Sequence, residues 1–459
     1  MGISFKLDPT FYPSAKEAMR AKAEDLAYVA CLYEGTGIGK PDYVAVIDVN
    51  PNSPTYSQVV GKVQLPYVGD ELHHFGWNAC SSSLCPNGKP GLERRYLIVP
   101  GLRSSRIYVI DVKEDPKNPR IVKVIEPTEV TEKSKYSRLH TVHCGPNGIY
   151  ISAFGNPEGE APGGILVLDH YSFEVLGRWE IDRGDQSLAY DFWWNLPNGV
   201  MVTSEWSVPN VIEDGLKLDH LKERYGNRIH FWDLERRKKV HSLTFGEENR
   251  MALELRPFHD PSKMMGFVNL VVSLKDLSSS IWLWYQEQGK WEAQKVIEIP
   301  AEKPEGNVPE ILKPFGMVPP LVTDIDLSLD DRFLYLSCWG TGEVRKYDVT
   351  DPFKPILVGK VRLGGIGRGE PHPSTSELSG GPQMLEVSRD GRRVYVTNSL
   401  YSSWDNQFYP DGIRGWMAKL NSEDGLSVER GFLVDFGDAR AHQVRLRGGD
   451  ASSDSYCYP

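Results

Sequence analysis

Polar and apolar positions along most of this chain alternate in short runs rich in β-branched and aromatic residues, and Gly, Pro, Asn and Asp clusters separate the runs. This is the pattern of half-buried strands joined by turns. A strand, a turn and a second strand recur in YVAVIDVNPNSPTYSQVVGKVQL (43 to 65), RIYVIDVKEDPKNPRIVKVIE (106 to 126) and GGILVLDHYSFEVLGRWEI (163 to 181). The same unit returns in RIHFWDLERRKKVHSLTF (228 to 245), SIWLWYQEQGKWEAQKVIEI (280 to 299), GEVRKYDVTDPFKPILVGKVRL (342 to 363) and GWMAKLNSEDGLSVERGFLVDFG (415 to 437). Ahead of each stands another strand, starting at 28, 95, 148, 199, 266, 332 and 393.

Seven repeats of one meander predict an all-β, seven-bladed β-propeller, because closing a ring of blades leaves few strand edges open. Each blade then needs one more strand, innermost, lining the central channel. The segments in place for it are ELHHFGWN (71 to 78), RLHTVHC (138 to 144), AYDFWWN (189 to 195), ALELRPFH (252 to 259), LVTDIDLS (321 to 328) and GGPQMLEVS (380 to 388). The seventh must come from the C-terminus, where ARAHQVRLRGG (439 to 449) would close the ring with the first blade.

Two segments read as helix instead. Ser14 and Glu17 form a capping box ahead of AKEAMRAKAEDLAY, with Pro13 just outside it. The polar segment 214 to 225 reads as a helical surface insertion stopped by Gly226. The predicted organisation is an N-terminal helical segment over residues 1–27 and a single propeller over 28–459.

Composition narrows the function classes. A net charge of -10 without a run of Lys and Arg argues against nucleic acid and against an acidic membrane surface. The N-terminus has no apolar core of a signal peptide, and no stretch is apolar enough to span a bilayer, which places the protein in the cytoplasm. Six cysteines (31, 80, 85, 144, 338 and 457) are sparse for 459 residues and fit reduced thiols. The four-residue gap in NACSSSLC does not make a zinc ribbon, and EGTGIGKPDYV (34 to 44) lacks the spacing and the Ser or Thr of a phosphate loop. Neither a G-x-S-x-G elbow nor H-E-x-x-H occurs. The tryptophans, Trp206 and Trp404 among them, read as blade packing.

The predicted inner strands carry the chemistry. They gather His73, His74, His140, His143 and His442 from three blades, and Asp191, Glu254, Asp324 and Asp326 from others. Any one of these histidines reads equally as a hydrogen-bonded core or rim residue, but three blades converging make a metal site the sharper expectation. Strand alternation sets a constraint: neighbours, or residues three apart, point to opposite faces, so one of each pair is a ligand unless a bulge re-aims both. An imidazole-rich, thiolate-poor set suits copper, zinc, iron or nickel, with copper favoured by affinity. Cys80, six residues past the histidine pair, is a candidate reactive thiolate, and Cys144 shares that standing, while Cys31 and Cys338 read as structural.

The strings ELHHFGWNACSS, LHTVH, YDFWWNLPNGVMVTSEW, LSLDDRFLYLSCW, GGPQM, SLYSSWDNQFYPDGIRGWM, FLVDFG, AHQVR and GGDASSD resemble the selenium-binding protein (methanethiol oxidase) family, from about Tyr28 to Asp454. The resemblance implies a seven-bladed propeller and a copper-dependent oxidase turning methanethiol, oxygen and water into formaldehyde, hydrogen sulfide and hydrogen peroxide. It also implies metal binding by His73, His74, His140, His143 and His442. From their places on the predicted channel strands and at its mouth, Glu254, Asp324 and Cys80 are the catalytic candidates beside them. The cysteine that the family's animal members use for selenium corresponds to Ser57, the CSSC motif is stretched to Cys80 to Cys85, and a C-terminal cysteine is replaced by Ala451. The competing expectations are a non-enzymatic propeller that carries selenium or a thiol or docks partner proteins on its rim, and a propeller hydrolase with a channel metal.

Overall fold

The computed structural model describes residues 10–80, 92–368, 371–375 and 378–452. Its strands form seven four-stranded antiparallel sheets, six of them running outward in chain order from the channel. The predicted closure is present: the C-terminal strand Arg440–Leu446 is the innermost strand of the first blade and pairs with Leu26–Leu32, which is followed by Tyr43–Asp48 and Val59–Gln64. The inner strands of the other blades are Gly76–Trp77, Ser137–Gly145, Phe192–Asn195, Asn249–Pro257, Val322–Leu327 and Leu385–Val387.

Burial grades from the axis outward. Arg440–Leu446 is buried throughout, whereas Val59–Gln64 alternates with solvent as an edge strand should. Apolar side chains fill the wedges between neighbouring blades. Tyr28, Val44, Val46, Phe75, Trp77, Leu97, Val99 and Tyr108 fill the first of these, and burying each large side chain contributes about 1.5 to 3 kcal/mol. Cys31 and Cys338 lie in such wedges, and burial pushes the Cys338 thiol up to about 12.

Two helical expectations change. The capping box at Ser14 is present, its hydroxyl accepting from the Glu17 amide, but the helix ends at Met19 and the first strand begins at Leu26. The residues past Ala27 belong to a pleated, doubly buried strand, and that packing overrides local helix propensity. The insertion near 214 breaks into short turns, Pro209–Ile212, Leu218–His220 and Leu221–Arg224. It is no mere surface feature: Val211, Ile212, Leu216, Leu221 and Tyr225 are buried with Trp206, Trp404 and Phe408 in an apolar cap over one channel end. The helix Ser402–Phe408 completes that cap.

Candidate metal centre

Ring nitrogens of His73, His74 and His442 lie within 4.8 Å of one another, and all three residues are buried. The His140 ring stacks on His74 with centroids 3.9 Å apart and lies 5.0 Å from His73, so four imidazoles from three blades share one site.

Departures from regular strand geometry allow this. Glu71 has a left-handed φ of 54°, which takes the following residues out of strand alternation and lets adjacent His73 and His74 stack at 5.0 Å. The Glu71 carboxylate, itself buried, fixes that kink by accepting from Arg103 at 2.9 Å and from the Ser402 amide at 3.0 Å. The third blade has a bulge between Leu139 and Val142, which carries His140, and the first blade has one opposite His442. His143 lies beyond its bulge, back in the regular ladder opposite Tyr150, and packs on Trp193 at 3.9 Å. The structure thus gathers four of the five expected histidines and leaves His143 outside the cluster.

The donor chemistry fits a cation. No hydrogen-bond partner is present among the described residues for Nε2 of His74, His140 or His442. The Ser399 carbonyl accepts from His442 Nδ1, which puts the proton there and leaves Nε2 as a bare lone pair. His140 Nδ1 lies 3.0 Å from the Thr141 hydroxyl. Burial and then the neighbouring imidazoles hold His73, His74 and His140 well below the ordinary histidine range. Burial takes His442 down to about 3. The rings are therefore neutral at physiological pH, the form that ligates a metal.

Glu254 and Asp324 lie elsewhere, in a second buried polar cluster. Arg256 sits among four carboxylates, at 3.1 Å from Glu254, 3.3 Å from Asp324, 3.5 Å from Asp191 and 3.6 Å from Asp326. Burial raises all four, Asp191 to about 8 and Asp326 to about 6. Sequence reasoning passed over Arg256; the available signal was an arginine at the spacing of Glu254 on an otherwise apolar channel strand. Tyr190 spans the two clusters, its ring 4.3 Å from His140 and its phenol raised by burial and by the charges of Glu254 and Asp324.

Cys80 does not join the imidazoles. It follows Gly76–Trp77, and its thiol is not among the ligand atoms that group with those of His73, His74 and His442. Cys144 instead pairs with buried His170, Sγ to Nε2 3.5 Å. Cys85 and Cys457 lie outside the described residues. Ser57 accepts from the Leu433 amide and donates to its carbonyl, tying the first blade to the seventh. Ala451 is buried, with its carbonyl 3.2 Å from His259.

Residues 5–457 match the profile of the 56kDa selenium binding protein family. A methanethiol oxidase of Xenopus tropicalis is 43% identical, with 96% of this chain and 97% of the relative covered. Selenium-binding protein 2 of Mus musculus is likewise 43% identical over the same shares. The X-ray structure of a hypothetical selenium-binding protein from Sulfolobus tokodaii superposes with a TM-score of 0.97 at 74% identity, covering 99% of this chain and all of that one.

Proposed function

We propose, from the premise that this chain belongs to the 56-kDa selenium-binding protein family, that it is a copper-dependent oxidase of a small thiol. One methanethiol, one dioxygen and one water give one formaldehyde, one hydrogen sulfide and one hydrogen peroxide, with methanethiol taken from the names of the curated relatives. The carbon is oxidised by two electrons as its bond to sulfur is replaced by one to oxygen, and dioxygen takes up those electrons. The observation that carries this reading is the set of buried imidazoles, three of whose Nε2 atoms, on His74, His140 and His442, find no hydrogen-bond partner among the described residues. His73, His74, His140 and His442 would hold the ion. Copper, when bound, supplies a soft Lewis acid for sulfur and one-electron exchange with oxygen.

The chain's own residues do the rest. The Ser399 carbonyl and Thr141 hydroxyl orient two of the rings, a constraint that sharpens a site by removing freedom from its donors. The apolar cap formed around Trp206 and Trp404 keeps bulk water from the cluster. Burial raises Glu254, Asp324 and Asp191, and carboxyl groups shifted in this direction would serve as proton donors and acceptors for the site. Ser57 offers no thiol for covalent selenium capture at that position, and it is already engaged by Leu433.

The test is oxygen uptake and sulfide release on adding methanethiol to protein loaded with copper. Wild type should consume oxygen with release of sulfide, and His140→Ala and His442→Ala should do neither. Copper-loaded wild type that consumes no oxygen overturns the reading in favour of a carrier or docking propeller.

A further inference from the structure

Three aromatic rings lie against the imidazole cluster, and a fourth backs them. Phe154, next to last in the strand Gly148–Gly155, lies 4.7 Å from the His140 ring. Tyr190 lies 4.3 Å from the same ring, and Tyr401 meets His73 edge-on at 6.2 Å. Trp206 ties these together, nearly perpendicular to Phe154 at 5.5 Å, to Tyr190 at 5.8 Å and to Tyr401 at 6.2 Å. All four are at most 3% exposed.

The wall behind Trp206 is firm. Trp404 packs on it at 5.5 Å, and Trp404 is itself stacked by Phe408 and pinned by its indole N–H to the Ile212 carbonyl at 3.2 Å. The Trp206 carbonyl accepts from the Gly226 amide at 2.7 Å. Rings in mutual edge contact, backed by a close-packed cap, cannot part to admit another methylene without moving the cap. Their faces are apolar.

We infer that Phe154, Trp206 and Tyr401 determine specificity, admitting a thiol that carries a single carbon and excluding longer alkyl thiols. This rests on the thiol reading above and adds to it which residues set the chain length. In a shaped apolar pocket one methylene changes discrimination by about 10- to 200-fold.

The test is calorimetric binding of methanethiol, ethanethiol and 1-propanethiol to anaerobic, copper(I)-loaded protein, in wild type, Trp206→Phe, Phe154→Leu and the control Trp179→Phe, a residue of a separate apolar cluster. Wild type and the control should favour methanethiol over ethanethiol by at least about 10-fold, and the two wall variants should narrow that ratio to about threefold or less. Phe154→Leu carries the test from the opposite wall if Trp206→Phe fails to fold. Wild type that binds all three thiols alike, or wall variants that keep the wild-type ratio, overturns the filter alone. Wild type that binds no thiol overturns the thiol reading and this inference with it.

Discussion

Two polar clusters share the buried channel, and they differ in what they lack. Around Arg256, four carboxylates meet a guanidinium supplied by the chain itself. The imidazoles of His73, His74, His140 and His442 meet one another, aromatic rings, the Ser399 carbonyl and the Thr141 hydroxyl, and three of their Nε2 atoms have no partner among the described residues. Buried polar groups are normally satisfied. The first cluster thus holds a counter-charge supplied by the chain, and the second presents ring nitrogens without a hydrogen-bond partner among the described residues. The same residue type marks the contrast. His259, equally buried, has Asp331 at 2.9 Å, and although burial opposes its charge, that partner raises its pKa, while the cluster histidines are lowered.

Removing the internal cation breaks the comparison most severely. Arg256→Met leaves four buried carboxylates without their counter-charge and should cost about 3 to 5 kcal/mol in urea unfolding, while the imidazoles remain in place. An unchanged unfolding midpoint would mean that the carboxylates do not depend on it. Next in size is the support of a donor ring. Thr141→Val should weaken copper binding by about 10- to 100-fold in a competition titration, with little change in metal-free stability; equal affinity would show that the hydroxyl does not orient His140.

The third effect is a pH dependence. Because the folded pKa of His259 lies above its unfolded value, its contribution is fully present below about pH 6.5 and is lost as pH rises through the folded pKa. Wild type minus His259→Gln should show a stability difference that shrinks as pH rises above that point, with urea midpoints measured at a series of pH values. A difference that grows with pH would contradict the assignment. The smallest effect is far from both clusters: Ser57→Ala removes the pair of hydrogen bonds to Leu433 and should cost about 1 kcal/mol in the same assay with activity retained.

Much of this architecture was legible in the sequence. Strand-and-turn repeats point to seven blades, and the need for an inner strand points to residues 439 to 449, where Arg440–Leu446 closes the ring, and to the three blades that bring histidines together. Alternation was the right rule for His143 and the wrong one for His73 and His74. What frees that pair is the left-handed turn at Glu71, held by Arg103 and Ser402 from distant parts of the chain. No local pattern records such a contact. The cap was missed for a related reason. Lys217, Asp219, Lys222 and Glu223 make the insertion look solvated, yet Leu221 among them and Val211, Ile212 and Leu216 just before them are buried. The helix Pro127–Ser134 was also passed over, although Pro127 in its first turn and Glu129 were available signals.

The central claim is that the imidazole cluster needs a cation from outside and the Arg256 cluster does not. Copper content per chain, measured after loading and dialysis in wild type, His140→Ala, His442→Ala and Glu254→Gln, tests it directly. The account predicts about one copper in wild type and in Glu254→Gln, and a large loss in both histidine variants, since such sites keep their metal only with the donor set intact. Copper retained by the histidine variants, or lost from Glu254→Gln, would contradict it.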